Sequence, residues 1–310
     1  MSLPERYIEA ILSEEDYEKQ RFCYQLSSTP TQTIEPNVVY RDRNTKQIKF
    51  LLLPKAISVS PYLTALEALN EADWTKGGRT ANGQVLFGKK ITLGWMKLQY
   101  PGYDNMGTAP TLEQPKLLAA VSPLVREMDS LVDANIPEYH NYAFTCAMTA
   151  ARPTVRDPET GLIGDEDDLT RIADPVGYKV VKNLDPWNMT RTVRGTVFSS
   201  VELNRNIVFK AHEDGHNVDG TLVCITTLGN FVGGRLMFPR YGYAAELAPY
   251  DLLICDNNHE LHGNLGPIVG ERFSVVAFLH ESVCGRVPLH DGWDGQRLLK
   301  QSKQTPQTFR

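Results

Sequence analysis

His212, Asp214 and His262 are the residues of this chain best suited to gripping an ion. In an extended segment residues i and i+2 point to the same side, so within His212-Glu213-Asp214 an imidazole and a carboxylate can hold one cation together. The third ligand must come from a distant segment. His262, in LHGN after the apolar run DLLIC, is the candidate, with His259 in NNHE and His216 as competitors; His259 reads more as a turn residue. Two histidines and one carboxylate form the facial set that binds Fe(II) and leaves positions open for a co-substrate and oxygen.

Ten residues after His262 comes Arg272-Phe273-Ser274, on the last long apolar run. Alternation places Arg272 and Ser274 on one face and Phe273 and Val275 on the other. An arginine pointing into a barrel is costly unless it grips an anion. A guanidinium fork beside a hydroxyl suits a carboxylate, and with the metal-binding set upstream it suits the distal carboxylate of 2-oxoglutarate.

These groups must be positioned by the surrounding elements. From Arg191 to about Val287 the text breaks into short β-branched runs, TVFSSVEL, IVFKAH, LVCITTL, RLMF, DLLIC and RFSVVAFLH, separated by Gly, Asn and Pro, which predicts strands of a sandwich or barrel. Before it, apolar spacing predicts helices over 4–26, 60–74 and 113–134, with extended loops and strands between Gly77 and Gly107. The acid cluster Asp165 to Asp168 reads as a solvated insertion. The expected fold is α+β: a mostly helical, loop-rich supporting region (1–190), a β core (191–290) and a basic tail (291–310). The β segment alone offers too few strands to close on itself.

Over 310 residues the net charge is −5, yet residues 37–100 hold ten Lys/Arg against four acids, a local patch able to neutralise phosphates. No apolar run approaches the ~18 residues of a membrane span, so no membrane partner is expected. Five scattered cysteines without a C-x-x-C pair disfavour a disulfide scaffold or a four-cysteine zinc site and fit a reducing cytoplasm.

The spacing of H-x-D, distal His and R-x-S resembles the 2-oxoglutarate- and Fe(II)-dependent dioxygenases. From Gly195 to Glu281 the finer text is similar to the TET/JBP branch, the methylcytosine and thymine oxidases of DNA, in the compact microbial or viral form that lacks a cysteine-rich zinc domain. The resemblance implies a double-stranded β-helix (jelly-roll) core, the cofactors Fe(II), 2-oxoglutarate and O2, and DNA with a flipped base as partner. It implies that Asn217, closing the H-x-D-x-H-N motif begun by His212, contacts the target base. Phe278 would lie against that base and His280 would reach its pairing edge. Asn204 would join Arg272 and Ser274 at 2-oxoglutarate, with Asn206 as the alternative. The reading that follows is hydroxylation of 5-methylcytosine to 5-hydroxymethylcytosine in DNA. The nearest rival is hydroxylation of thymine to 5-hydroxymethyluracil. The basic stretch argues against a small-molecule or protein hydroxylase, and a non-catalytic reader of modified bases would need neither the metal-binding set nor the inward arginine.

Overall fold

The computed structural model describes residues 2–21, 32–74, 89–94, 115–150, 155–156, 163–164, 192–193 and 195–281. In chain order these form β1 (Glu5–Ile8), α1 (Glu14–Gln20), β2 (Gln32–Thr33), β3 (Val39–Asp42), β4 (Ile48–Leu53), α2 (Val59–Glu71) and β5 (Lys89–Gly94). Two helices follow, α3 (Pro115–Asn135) and α4 (Pro137–Ala150), then the short pair β6 (Val155–Arg156) and β7 (Ile163–Gly164). The last strands are β8 (Ser200–Arg205), β9 (Val223–Phe238), β10 (Tyr243–Ala245), β11 (Leu252–Cys255) and β12 (Gly263–Phe278). Ten strands form one sheet in the order β1-β3-β4-β11-β9-β12-β8-β5, with β10 on β9 and β2 on β10.

Strand alternation sorts the apolar side chains into two cores. On one face Leu51, Leu53, Leu252, Ile254, Leu203 and Phe273 pack against α2, α3 and α4 through Tyr62, Leu69, Val121, Leu124, Met128 and Tyr139. On the other, their neighbours Phe50, Leu52, Leu253, Cys255, Val223 and Ile225 meet Phe238, Tyr241 and Tyr243 inside the curled sheet. The result is a sheet-rich fold of jelly-roll type. β9 and β12 pair along almost their whole lengths and carry the sheet round its bend. Gly229 permits this, with φ of +103°, since a Cβ there would lie 2.2 Å from the Glu271 carbonyl oxygen.

Several sequence expectations need correction. The described part of the helix expected over 4–26 is instead β1 followed by α1, and residues 22–26 lie outside the described residues. Residues 5–8 pair in parallel with β3, and Ser13 caps the helix by accepting the Asp16 amide at 3.1 Å. The helical spacing of Tyr7 and Ile11 is not a buried face, since both are exposed. The supporting region is not helical alone: its described residues carry four helices but also supply β1 to β5, half the strands of the sheet. The reason is edge satisfaction, because β4 pairs β11 and β5 pairs β8, covering backbone that the later strands leave open. LVCITTL and RLMF form the single strand β9, and IVFKAH forms no strand, only bridge residues at Phe209 and His212. The helices expected over 60–74 and 113–134 match α2 and α3. The acid cluster at 165–168 and the tail 291–310 lie outside the described residues. No helix among the described residues is long and apolar enough to cross a membrane.

Lys49 belongs to the basic stretch by count, yet it lies inside the protein, 4% exposed, with Nζ 3.0 Å from Asp256 and 2.7 Å from Glu260. Burial disfavours its charge, but the two carboxylates outweigh that effect and hold the ammonium protonated. Lys49→Met should therefore destabilise the protein by about 3 kcal/mol, because two carboxylates lose their cation in a dry site. Urea unfolding of the variant against wild type measures this, and a loss below about 1 kcal/mol would mean that Arg240 alone satisfies Glu260.

Candidate active site

The curled sheet opens into a pocket of about 230 Å³. The same alternation that fills the cores turns Glu202 and Asn204 of β8 and Arg272, Ser274, Val276 and Phe278 of β12 into this pocket. The β8–β12 register sets Ser274 opposite Asn204, and the β5–β8 register sets Lys90 opposite the same asparagine.

His212 and His262, fifty residues apart, meet across a backbone bridge. The amide of each donates to the carbonyl of the other, at 3.0 and 2.9 Å. Gly263 makes the approach possible, since a Cβ there would sit 2.9 Å from the Ala211 nitrogen. Asp214 Oδ1 then lies 3.6 Å from His212 Nε2 and 3.8 Å from His262 Nε2. Both Nδ1 atoms face carbonyl oxygens, His212 toward Lys210 at 2.7 Å and His262 toward Glu260 at 3.0 Å. A carbonyl only accepts, so Nδ1 of each ring carries a proton and Nε2 is the atom each ring turns to Asp214. Burial opposes ionisation of Asp214, but His212, His262 and Lys90 outweigh it and hold the carboxyl down at about 2. Burial and the neighbouring His212 push His262 down to about 4. An anionic carboxylate and two inward-facing Nε2 atoms, which a metal would hold deprotonated, are the donor set of a divalent transition metal.

Arg272 is buried, and no carboxylate pairs with it among the described residues. Its Nε has no hydrogen-bond partner there, its guanidinium carbon lies 5.5 Å from the centre of the Phe231 ring, and burial alone lowers its pKa to about 10. Asn204 is equally exceptional: it is buried, and neither its Oδ1 nor its Nδ2 has a partner among the described residues. Unmet groups of this kind cost about 1 to 3 kcal/mol each, and they converge here with Ser274 on one wall of the pocket. They fit a bound carboxylate. Asn206 is otherwise engaged, accepting the Arg272 amide at 2.7 Å.

Beyond the metal-binding cluster, a second bridge joins Asn217 to His280, flanked by the Val218 amide to the Leu279 carbonyl at 2.8 Å and the Glu281 amide to the His216 carbonyl at 2.9 Å. Asn217 is buried and its Nδ2 has no partner among the described residues. Phe278 lies 6.4 Å from the His280 ring, centre to centre. Burial, with His216 nearby, lowers His280 to about 4, so its imidazole is neutral at neutral pH. The competing histidines point elsewhere: His259 bonds to Asp219 at 2.5 Å and His216 to Glu281 at 3.1 Å. Sequence reasoning passed over the Lys90–Glu202 ion pair on the pocket wall. The i, i+2 relation of Glu202 to Asn204 was a usable signal for the acid, whereas nothing local marks Lys90.

The cluster should bind one divalent transition ion per chain. His212→Ala, Asp214→Ala and His262→Ala should each abolish that binding in calorimetric titration while leaving the circular dichroism spectrum unchanged, and His259→Ala should bind as wild type does.

Residues 109–281 match the family described as Tet_JBP, the oxygenase domain of the 2OGFeDO superfamily. Among solved structures, the chain is similar to NgTET1 in complex with 5mC DNA, at 14% identity over 95% of this chain and 100% of that one, with a TM-score of 0.44. It is similar to OsALKBH1 at 11% identity over 80% and 99% of the two chains, TM-score 0.40. A third is the viral collagen prolyl hydroxylase vCPH from Paramecium Bursaria Chlorella virus-1, at 12% identity over 74% and 94%, TM-score 0.34. No curated protein sequence matches. With more than half of the chain inside the family match, including the whole His-Asp-His cluster, the protein belongs to the Tet/JBP oxygenase-domain family and is a 2-oxoglutarate-dependent dioxygenase that uses Fe(II) and O2.

Proposed function

We propose that the protein hydroxylates the methyl group of 5-methylcytosine in DNA. The observation that carries this reading is the Asn217–His280 bridge, which brings an unpaired amide, a neutral imidazole and the Phe278 ring to the pocket that holds the metal-binding cluster. In this reading His212, Asp214 and His262 hold Fe(II), and Arg272, Ser274 and Asn204 hold 2-oxoglutarate. The bound cofactors supply the oxidant for an unactivated methyl group, with one oxygen atom of O2 entering the product as 2-oxoglutarate becomes succinate and CO2.

The residues of the chain do the rest. A base stacked in a duplex cannot reach a buried cluster, so it must be flipped out and stacked on an aromatic, the role this reading gives to Phe278. His280 donates its remaining N–H to cytosine N3, and Asn217 accepts from the N4 amine. The same amide, rotated, serves O4 of thymine, so the assay must offer both bases. DNA contacts from residues 1–190 are part of the proposal, but Lys49 is not among them, because its charge is buried and paired.

Arg272→Ala should weaken 2-oxoglutarate binding by about 2 to 4 kcal/mol, since a charge-assisted contact is lost in a closed site. Arg272→Lys should recover only part of it, lacking the planar fork. An unchanged apparent affinity would take the arginine away from the co-substrate.

Oligonucleotides identical except for one 5-methylcytosine or one thymine, assayed by nucleoside mass spectrometry, test the substrate. The expected product is 5-hydroxymethylcytosine, and faster turnover of thymine would overturn the assignment. His280→Asp should depress 5-methylcytosine oxidation, because an acceptor then faces the acceptor N3, while leaving Fe(II) binding intact. Phe278→Ala should cost a further ~1 to 3 kcal/mol of base binding through lost stacking.

A further inference from the structure

The cluster is built from two chain segments, one carrying His212 and Asp214 and the other His262. Between those ligands, Glu213 carries its carboxylate to Tyr17 of α1. There the buried Tyr17 hydroxyl donates to Glu213 Oε1 at 2.9 Å and accepts the Leu261 amide at 2.6 Å. Leu261 directly precedes His262. One phenol oxygen therefore ties the residue between two ligands to the residue beside the third. Arg21 adds an ion pair to Glu213 Oε2 at 3.0 Å, and the Arg240 guanidinium lies 3.7 Å over the Tyr17 ring. Arg240 in turn pairs with Glu14 of α1 at 2.6 Å and with Glu260 at 3.0 Å.

We infer that Tyr17 is a positioning residue for the metal centre: its hydroxyl is a strut that sets the spacing between the His212–Asp214 segment and the His262 segment. The inference rests on the reading of His212, Asp214 and His262 as the Fe(II) ligands. The backbone bridge between His212 and His262 fixes where the two main chains touch, but it leaves each segment free to pivot about that contact. A second tie, displaced by one residue on each segment, removes the pivot. In an unstrapped site Asp214 would swing relative to the two Nε2 atoms, and the ligand set would have to be reassembled each time a metal bound. Outer groups that orient ligands in this way typically govern metal affinity by 10- to 100-fold. The Tyr17 hydroxyl touches no ligand side chain: it meets Glu213, the Leu261 amide and, at 3.3 Å, the carbonyl of His259, so its effect passes through these neighbours of the ligands. A tyrosine is suited to this place because its hydroxyl accepts from an amide while donating to a carboxylate, and its ring fills the space beneath Arg240.

The test is Fe(II) affinity, measured without oxygen on the folded full chain by competition with a chromogenic chelator. Tyr17→Phe keeps the ring and removes only the strut, and it should bind Fe(II) about 10- to 100-fold more weakly than wild type. Hydrogen exchange at the Leu261 amide should quicken in the same variant. Glu213→Ala, which leaves Tyr17 bound to Leu261 and to Arg240, should also weaken Fe(II) binding, and it serves if Tyr17→Phe fails to fold. Unchanged Fe(II) affinity in either folded variant, whatever its melting temperature, would reduce Tyr17 to a packing residue and overturn the inference. A different result separates the underlying reading: if His212→Ala binds Fe(II) as tightly as wild type, the ligand assignment fails and not the strut.

Discussion

The paired backbone hydrogen bonds between His212 and His262 are the contact on which the pocket depends. They join two segments that no local interaction would bring together, and every group facing the pocket is placed relative to them. Their formation requires backbones to approach more closely than a side chain at position 263 would allow, which gives Gly263 a definite task. Outward from this bridge the register of β12 against β8 and β9 delivers Arg272, Ser274 and Phe278 to one wall, and the Asn217–His280 bridge closes the other end. The site is therefore a consequence of sheet register, and a one-residue slip of β12 would turn all three side chains into the opposite core.

Two buried cations show how differently this protein treats charge. Lys49 is fully compensated by Asp256 and Glu260, so its cluster is structural and complete. Arg272 is equally buried but faces the pocket with no carboxylate beside it among the described residues, and Asn204 next to it has both amide atoms unmet. A folded protein tolerates such groups where a ligand completes them. That contrast separates a cluster whose charges satisfy one another from a pocket wall whose polar groups have no partner among the described residues.

The local groupings were legible along the chain because period-two alternation is a property of consecutive residues. It paired His212 with Asp214 and Arg272 with Ser274, and the same rule would have flagged Glu202 beside Asn204. The apolar spacing that marked α2 and α3 worked for a related reason, since a helix makes its contacts within four residues. The expectation failed over residues 4–26, where Tyr7, Ile8, Ile11 and Leu12 carry helical spacing but parallel pairing with β3 takes the backbone hydrogen bonds of the first four residues of the segment.

What no reading of consecutive residues reveals are the contacts that span most of the chain. Lys49 looks like a surface lysine until β4 is laid against β11, which carries it to the carboxylate of Asp256, 207 residues away. Tyr17 looks like one aromatic of a short helix until its hydroxyl meets Leu261, 244 positions on. Lys90 enters the pocket wall only through the pairing of β5 with β8. Residue type and alternation follow from covalent geometry and are written in the chain. Which segment becomes the neighbour of which is settled by the competition among distant sheet edges for hydrogen-bond partners, and only the folded molecule records its outcome.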